Sequence, residues 1–326
     1  MTICYITIDT EYEFSFTRRM GSSSRRENFR RSIACATSSG EVGIGYQMDV
    51  FDRQGLKAVF FVDPMPALLW GTAAIEDVVR PILERGHDVQ LHLHTEWLEL
   101  AGAANPLGTR TGRNIKDFTF EEQCSLLEYA ARILVAAGAP SPVAFRAGNY
   151  GANDDTLRAL ATVGLRYDTS HCPGIALSAC AIRLSSDDRI PVEHCGLVEV
   201  PIGCIAGSWL GGSLRHAQVT ALSAYEMIAA VAHSQQEGID YFTLVSHSFE
   251  LLSRDRSRIN EVVRRRFETF CARLAAMREV TTGTYASNPP QLGAHNRTAA
   301  VLPFNPLRMG LRMAEQVLSN ALYGGR

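Results

Sequence analysis

Asp9 and Glu11 stand two residues apart at the end of an apolar, β-branched run over residues 2–8. On an extended chain that spacing points both side chains the same way. Two carboxylates on one face repel unless a cation or a proton comes between them. The plainer alternative is one surface carboxylate beside one paired structural one. His92 and His94 repeat the geometry around Leu93. Neutral imidazoles together with carboxylates are the usual ligands of a catalytic zinc that keeps a position open for water. A lone histidine is more often a satisfied core residue, but two at this spacing with Glu96 beside them favour a divalent metal, zinc first. Glu96 reads equally as a ligand or as a partner of one.

Further along, Arg146 lies in AFRAGNYG, residues 144–151, a guanidinium at an apolar strand end. There it needs a buried acid, either in a structural ion pair or at a site, while Gly148 and Gly151 allow close backbone approach. His247 follows the apolar run 242–246, with Ser246, Ser248 and Glu250 near it. A histidine at such a strand end can act as a general acid near neutral pH. No phosphate-binding glycine loop and no GxSxG elbow occurs, which argues against a nucleotide-binding loop and a serine hydrolase.

The elements that must position these residues alternate. Strands are expected over 2–8, 57–62, Asp88–Leu93, 143–146, 166–168, 198–202 and 241–246. Helices are expected over 42–54, 73–85, 120–137, Asp154–Thr162, 221–236 and 256–277. Such alternation predicts a parallel sheet or a (β/α) barrel. Asp9, Glu11, His92, His94, Arg146, Asp168 and His247 then all fall at or just past strand C-termini, the edge where sites assemble in both architectures.

Composition sets the outer bounds. The chain has 326 residues, 46% hydrophobic and 20% charged, enough for one large domain or two modest ones. Its net charge of −2 gives no electrostatic case for nucleic acid. Eight cysteines without a CxxC pair read as reduced thiols of a cytoplasmic protein. The N-terminus shows no secretory leader, and no apolar run is long enough to span a membrane.

Taken in order, the segments TIDTE (7–11), GHDVQLHLHTE (86–96), FRAGNY (145–150), GLRYDTS (164–170) and VSH (245–247) resemble the polysaccharide deacetylase family, the NodB-homology group or carbohydrate esterase family four. The wording is most similar to divergent members associated with surface polysaccharide and lipopolysaccharide biosynthesis. The resemblance implies a distorted (β/α)7-type barrel over residues 1–280 and an N-deacetylase of an acylated amino sugar. The resemblance leaves the sugar's carrier open between a nucleotide, a lipid phosphate and a polymer. It implies Asp9 as catalytic base, Glu11 and His92 as metal ligands, and Glu96 or His94 as the last ligand. Arg146 would orient the base, His247 would be the acid, and Asp168 would orient His247 or a substrate hydroxyl. Tyr150 would offer a backbone amide, with Asn149 and Trp97 as further substrate contacts. A sugar deformylase, a cyclic-amide hydrolase or a silent carbohydrate-binding protein are the alternatives.

Two segments stand apart. Arginines 18, 19, 25, 26, 30 and 31 mark a long basic loop, solvated or acting as a phosphate-gripping lid. Residues 281–326 form an extension whose helix Pro306–Tyr323 is amphipathic. Its apolar side is expected to pack on the barrel or on a second subunit, with peripheral contact at the inner membrane as the weaker reading.

Overall fold

The structure is a computed structural model describing residues 1–175, 177–208, 212–292 and 300–324. One curled sheet organises it. Its strands are β1 (Thr2–Thr10), β2 (Ala58–Val62), β3 (Asp88–Leu93), β4 (Ala144–Ala147), β5 (Tyr167–Asp168), β6 (Val192–His194), β7 (Leu197–Glu199), β8 (Tyr241–His247) and β9 (Val280–Thr282). They lie in the order β8-β1-β2-β3-β4-β5-β7-β6, with β9 pairing the start of β1. Every pairing is parallel except β6 with β7. The expected α/β architecture, a distorted barrel with a C-terminal helix, is therefore the observed one.

Register decides which side chains meet. Asp9 pairs with His247 on β8 and with Phe61 on β2. Phe61 pairs with Gln90, and His92 with Arg146. With a side-chain period of two, these residues share the inner face of the curl. Below them that face is filled by Tyr5, Val59, Phe61, Ala144, Tyr167, Val200 and Tyr285. Tyr285 stacks on Tyr5 with centroids 5.2 Å apart and sits against Phe61 at 5.9 Å. Residues 280–288 thus close the barrel floor.

Helices cover the outer face over Ile44–Gln54, Ala73–Glu84, Phe120–Ala136, Asp154–Thr162, Ala224–Gln236 and Glu261–Ala275. The last begins later than the expected 256, because Asn260 caps it by accepting from the Val263 amide. Arg256 ahead of it has φ +59°, incompatible with a helix.

The arginine-rich segment is not a loop. It folds as Phe14–Met20, Ser22–Ser24, Arg25–Asn28 and Phe29–Ile33, all helical turns. Its inner side is held by buried Asn28, whose amide bonds Thr17, Ser32 and the Glu13 backbone. Four of the arginines hold carboxylates: Arg18–Glu99, Arg25–Asp77, Arg30–Glu27 and Arg31–Glu13. Arginine clustering hid an ordered polar core.

The C-terminal helix Pro306–Tyr323 does not pack its apolar side on the barrel, the first of the partners expected for it. Its polar side faces the body through Arg312–Glu226, Glu315–Arg266 and Ser319–Asn260 contacts. Leu307, Leu311, Val317 and Leu318 are exposed. Among the described residues no helix is long and apolar enough to cross a membrane.

Candidate active site

Glu11, His92 and His94 converge at the C-terminal edge of β1 and β3. Their ligand atoms all lie within 4.8 Å of one another. Glu11 Oε2 is 3.4 Å from His92 Nε2 and 2.5 Å from His94 Nε2. Each imidazole is held from behind. His92 Nδ1 lies 2.7 Å from the Arg146 carbonyl oxygen, so it carries the proton and leaves the Nε2 lone pair facing the centre. His94 Nδ1 faces Glu96 at 3.4 Å. A ring nitrogen held by a carbonyl or carboxylate while the other points inward is the usual support of a metal-binding histidine.

Burial would raise the Glu11 carboxyl and lower the His94 imidazole. Burial is the largest single influence on both, but the charges and hydrogen bonds exchanged with His92, Glu96, Asp63 and one another together outweigh it, leaving Glu11 well below and His94 well above its ordinary value. Yet Glu11 Oε2 is buried and finds no aligned hydrogen-bond donor. A buried oxygen in that condition is costly unless a cation satisfies it. One carboxylate and two imidazoles fit a divalent ion of the zinc type. Glu96 lies on the far side of His94, which makes His94 the third member of the cluster and Glu96 its support.

Asp9 is 4% exposed and Arg146 0%. Arg146 Nη1 donates to Asp9 Oδ1 at 2.6 Å and to Thr7 Oγ1 at 2.9 Å. The guanidinium lies 4.5 Å over the Phe61 ring. A buried arginine with a carboxylate, a hydroxyl and an aromatic floor is fixed in one orientation, and so is its carboxylate.

His247 receives its orientation from Glu250, which the sequence reading named only as a neighbour. Nδ1 and Glu250 Oε2 are 2.6 Å apart. Glu250 Oε1 is held by the Gln218 amide, the Thr220 amide and the Thr220 hydroxyl. Burial lowers the His247 imidazole, but the Glu250 charge and hydrogen bond override it and lift it to about 9. A proton donor that must be charged to act loses activity as pH rises through its pKa. Replacing Glu250 by Gln removes the charge that raises it. The alkaline limb of kcat should then move to lower pH by at least about one unit, and a limb that stays in place would reject this pairing.

Other expected residues fall differently. Asp168 does not orient His247. It pairs in register with Phe145, so it points to the outer face. There it bonds Ser170 and meets Glu199. Burial pushes both carboxyls up, Glu199 further because Asp168 adds charge beside it. Trp97 is fully buried between Phe14 and Trp70, which leaves no ring face for substrate. Asn149 is exposed and bonds Asn114. Tyr150 packs on Cys172, Ile202 and Val245 beside the site. Asn149 and Tyr150 both hold positive φ, +56° and +55°, a strained pair of the kind that collects at working sites. Gly148 makes this approach possible: a Cβ there would lie 2.7 Å from His94 Nδ1.

Sequence reasoning missed Asp63, which directly follows the strand expected over 57–62. It is buried, accepts from the Met65 and His94 amides, and has one oxygen without a partner. Burial lifts it to about 6 against the pull of His94 and His92. A second group, Asp154, His194 and Cys195, lies elsewhere. Its carboxylate is already used by the Arg183 amide and His194, so it reads as a structural cap.

Comparison with known proteins completes the picture. No family model matches the chain, and no curated protein matches it. Solved structures do. A Mycobacterium smegmatis protein, assigned as a polysaccharide deacetylase on a provisional basis, is 16% identical with a TM-score of 0.52, over 90% of this chain and 95% of that one. The chain has the polysaccharide deacetylase fold. A 4-α-glucanotransferase from Thermococcus litoralis aligns with 88% of this chain and 40% of its own, at 11% identity and a TM-score of 0.50. A family 4 carbohydrate esterase from Streptomyces lividans, solved with acetate, gives 12% identity and 0.45 over 89% and 98%. The glucanotransferase shares the scaffold, so fold alone does not name the reaction; the residues must.

Proposed function

We propose that the chain is a metal-dependent amide hydrolase that removes the N-acyl group, N-acetyl first, from an amino sugar. The observation that carries this reading is the convergence of Glu11, His92 and His94 on one buried point. Asp9, held by Arg146, and His247, held by Glu250, stand in register on adjacent strands beside it. Zinc held by Glu11, His92 and His94 would polarise the amide carbonyl and make water nucleophilic near neutral pH.

The chain's own residues do the rest. Asp9, held by Arg146, takes the proton from the attacking water as the new C–O bond forms. His247, held charged by Glu250, gives its proton to the departing nitrogen as the C–N bond breaks, releasing the free amine and the acid. Tyr150 contributes its backbone amide towards the developing oxyanion, and Asn149 stands at the rim for a sugar hydroxyl. A base and an acid supplied by different strands suit a reaction that needs one proton taken and one given.

The substrate class rests on the resemblance of the five ordered segments, supported by the shared fold. The same reading extends to sugars carried on a nucleotide or lipid phosphate, made for surface polysaccharide or lipopolysaccharide. It treats the barrel as the catalytic unit and the chain beyond it as an extension. The direct test is product analysis with the zinc-loaded protein on a panel of N-acetylated and N-formylated nucleotide sugars. Acetate released in step with free amine is the expected result. Formate alone would move the reading to a deformylase, and neither acid from any member would sink it.

A further inference from the structure

The helix Pro306–Tyr323 is turned inside out. Its polar side is spent on buried contacts with the body: Arg312 Nε to Glu226 Oε1 at 3.1 Å, Glu315 Oε2 to Arg266 Nη2 at 2.7 Å, and Ser319 to Asn260 at 2.9 Å. The opposite side carries Leu307, Leu311, Met313, Val317, Leu318 and Leu322, each exposed by 49% to 78%. No ionised side chain interrupts that face, since Glu315 turns inward to Arg266 and Arg312 to Glu226. A monomer rarely leaves so continuous an apolar strip to water without a use for it.

We propose that this face docks on an anionic lipid bilayer, with the helix lying in the plane of the interface. The charges around the strip favour that occupant. Arg308 stands in the first turn of the helix, and Arg254 and Arg258 bracket Asp255 at its far end, where the Arg254 amide bonds the Tyr323 carbonyl. The same loop meets the basic insert, through Arg31 to the Asp255 carbonyl at 3.2 Å and Arg256 to Ser32 at 3.2 Å. Exposed Arg19 and Arg26 belong to that insert, while its exposed Arg18 and Arg30 are matched by Glu99 and Glu27. An apolar helical face with cationic flanks gains both from burial in the headgroup region and from attraction to acidic lipids.

A second copy fits less well. Self-pairing would bring these cations against their own kind, with no outward carboxylate on the helix to meet them. An 18-residue helix is about 27 Å long and about 10 Å wide. One such face falls well short of the roughly 800 Å² per partner of a stable interface.

The experiment is co-sedimentation of the full chain with vesicles of phosphatidylcholine alone or mixed with phosphatidylglycerol, at low and high salt. Binding to the mixed vesicles, weakened by salt, is expected. Leu311→Glu with Leu318→Glu should leave the protein in the supernatant with its circular dichroism and thermal unfolding unchanged. Arg254→Gln with Arg258→Gln should weaken binding about fivefold per arginine, and this pair decides the matter should the glutamates unfold the helix. Absence of binding by the wild type at low salt, or equal binding by both variants, would overturn the proposal. So would a dimer in light scattering that the glutamates break while vesicles go unbound, which would give the face to a second copy. None of these readouts depends on the reaction catalysed.

Discussion

Replacing Asp9 by Asn should lower kcat on the order of 10²–10⁴-fold, the range removed with a positioned general base, while bound zinc stays at its wild-type stoichiometry. Asn cannot accept the water proton, yet it fills the same space and can still meet Arg146 through its amide oxygen. Asp9 is not among the converging ligand atoms of Glu11, His92 and His94, so the metal should remain. The substitution also leaves the fully buried Arg146 cation without its counter-charge. Breaking such a pair costs about 3–5 kcal/mol, so a lowered unfolding midpoint should accompany the loss of rate. Steady-state kinetics, metal analysis and thermal unfolding on one preparation separate the two effects. Full activity, or loss of metal in step with activity, would remove Asp9 from the role of base.

How far the sequence reaches depends on whether a residue's partner is local. Period-two spacing put Asp9 with Glu11 and His92 with His94, and the strand-end rule put Arg146 and His247 at the same edge; the barrel has each of them there. Those inferences need only the strand. Asp168 also ends a strand, but its face depends on the register of β5 against β4, which no local pattern reports. One residue of phase turned it from the site to the outer layer. Trp97 failed for a related reason. Its burial comes from Phe14 and Trp70, contributed by segments some eighty and twenty-seven positions away. Asp63 carried a weak signal, a carboxylate at a strand end, but an Asp-Pro pair also stops strands. The arginine-rich insert misled by composition: its order is set by one buried amide, Asn28, and by the carboxylates its arginines meet. The terminal helix was rightly placed, and of the partners expected for its apolar stripe the barrel is ruled out. Its apolar stripe was expected to pack on the barrel or on a second subunit, and Arg312, Glu315 and Ser319 take the barrel-facing side with buried polar contacts.

The choice between His94 and Glu96 as the last ligand, open in the sequence, becomes a graded expectation. His94→Ala should reduce zinc to background and bring activity down with it, because it deletes one of three converging donor atoms and leaves Glu11 with a single imidazole. Glu96→Gln should retain zinc and weaken its affinity by about 10–100-fold, the effect of losing a hydrogen-bonding support behind a ligand. The geometry sets the order: Glu11 Oε2 is 2.5 Å from His94 Nε2, while Glu96 stands 3.4 Å from the other nitrogen of that ring. Competition with a chelator of known affinity measures both variants on one scale. Should Glu96→Gln empty the site while His94→Ala keeps its metal, the two residues would exchange roles, and the centre would be built on a carboxylate pair with one histidine. Dialysis against the chelator tests the same centre without mutation. Activity should vanish and return with added zinc, whereas persistence in the metal-free protein would leave Asp9 and His247 to act as an acid–base pair alone.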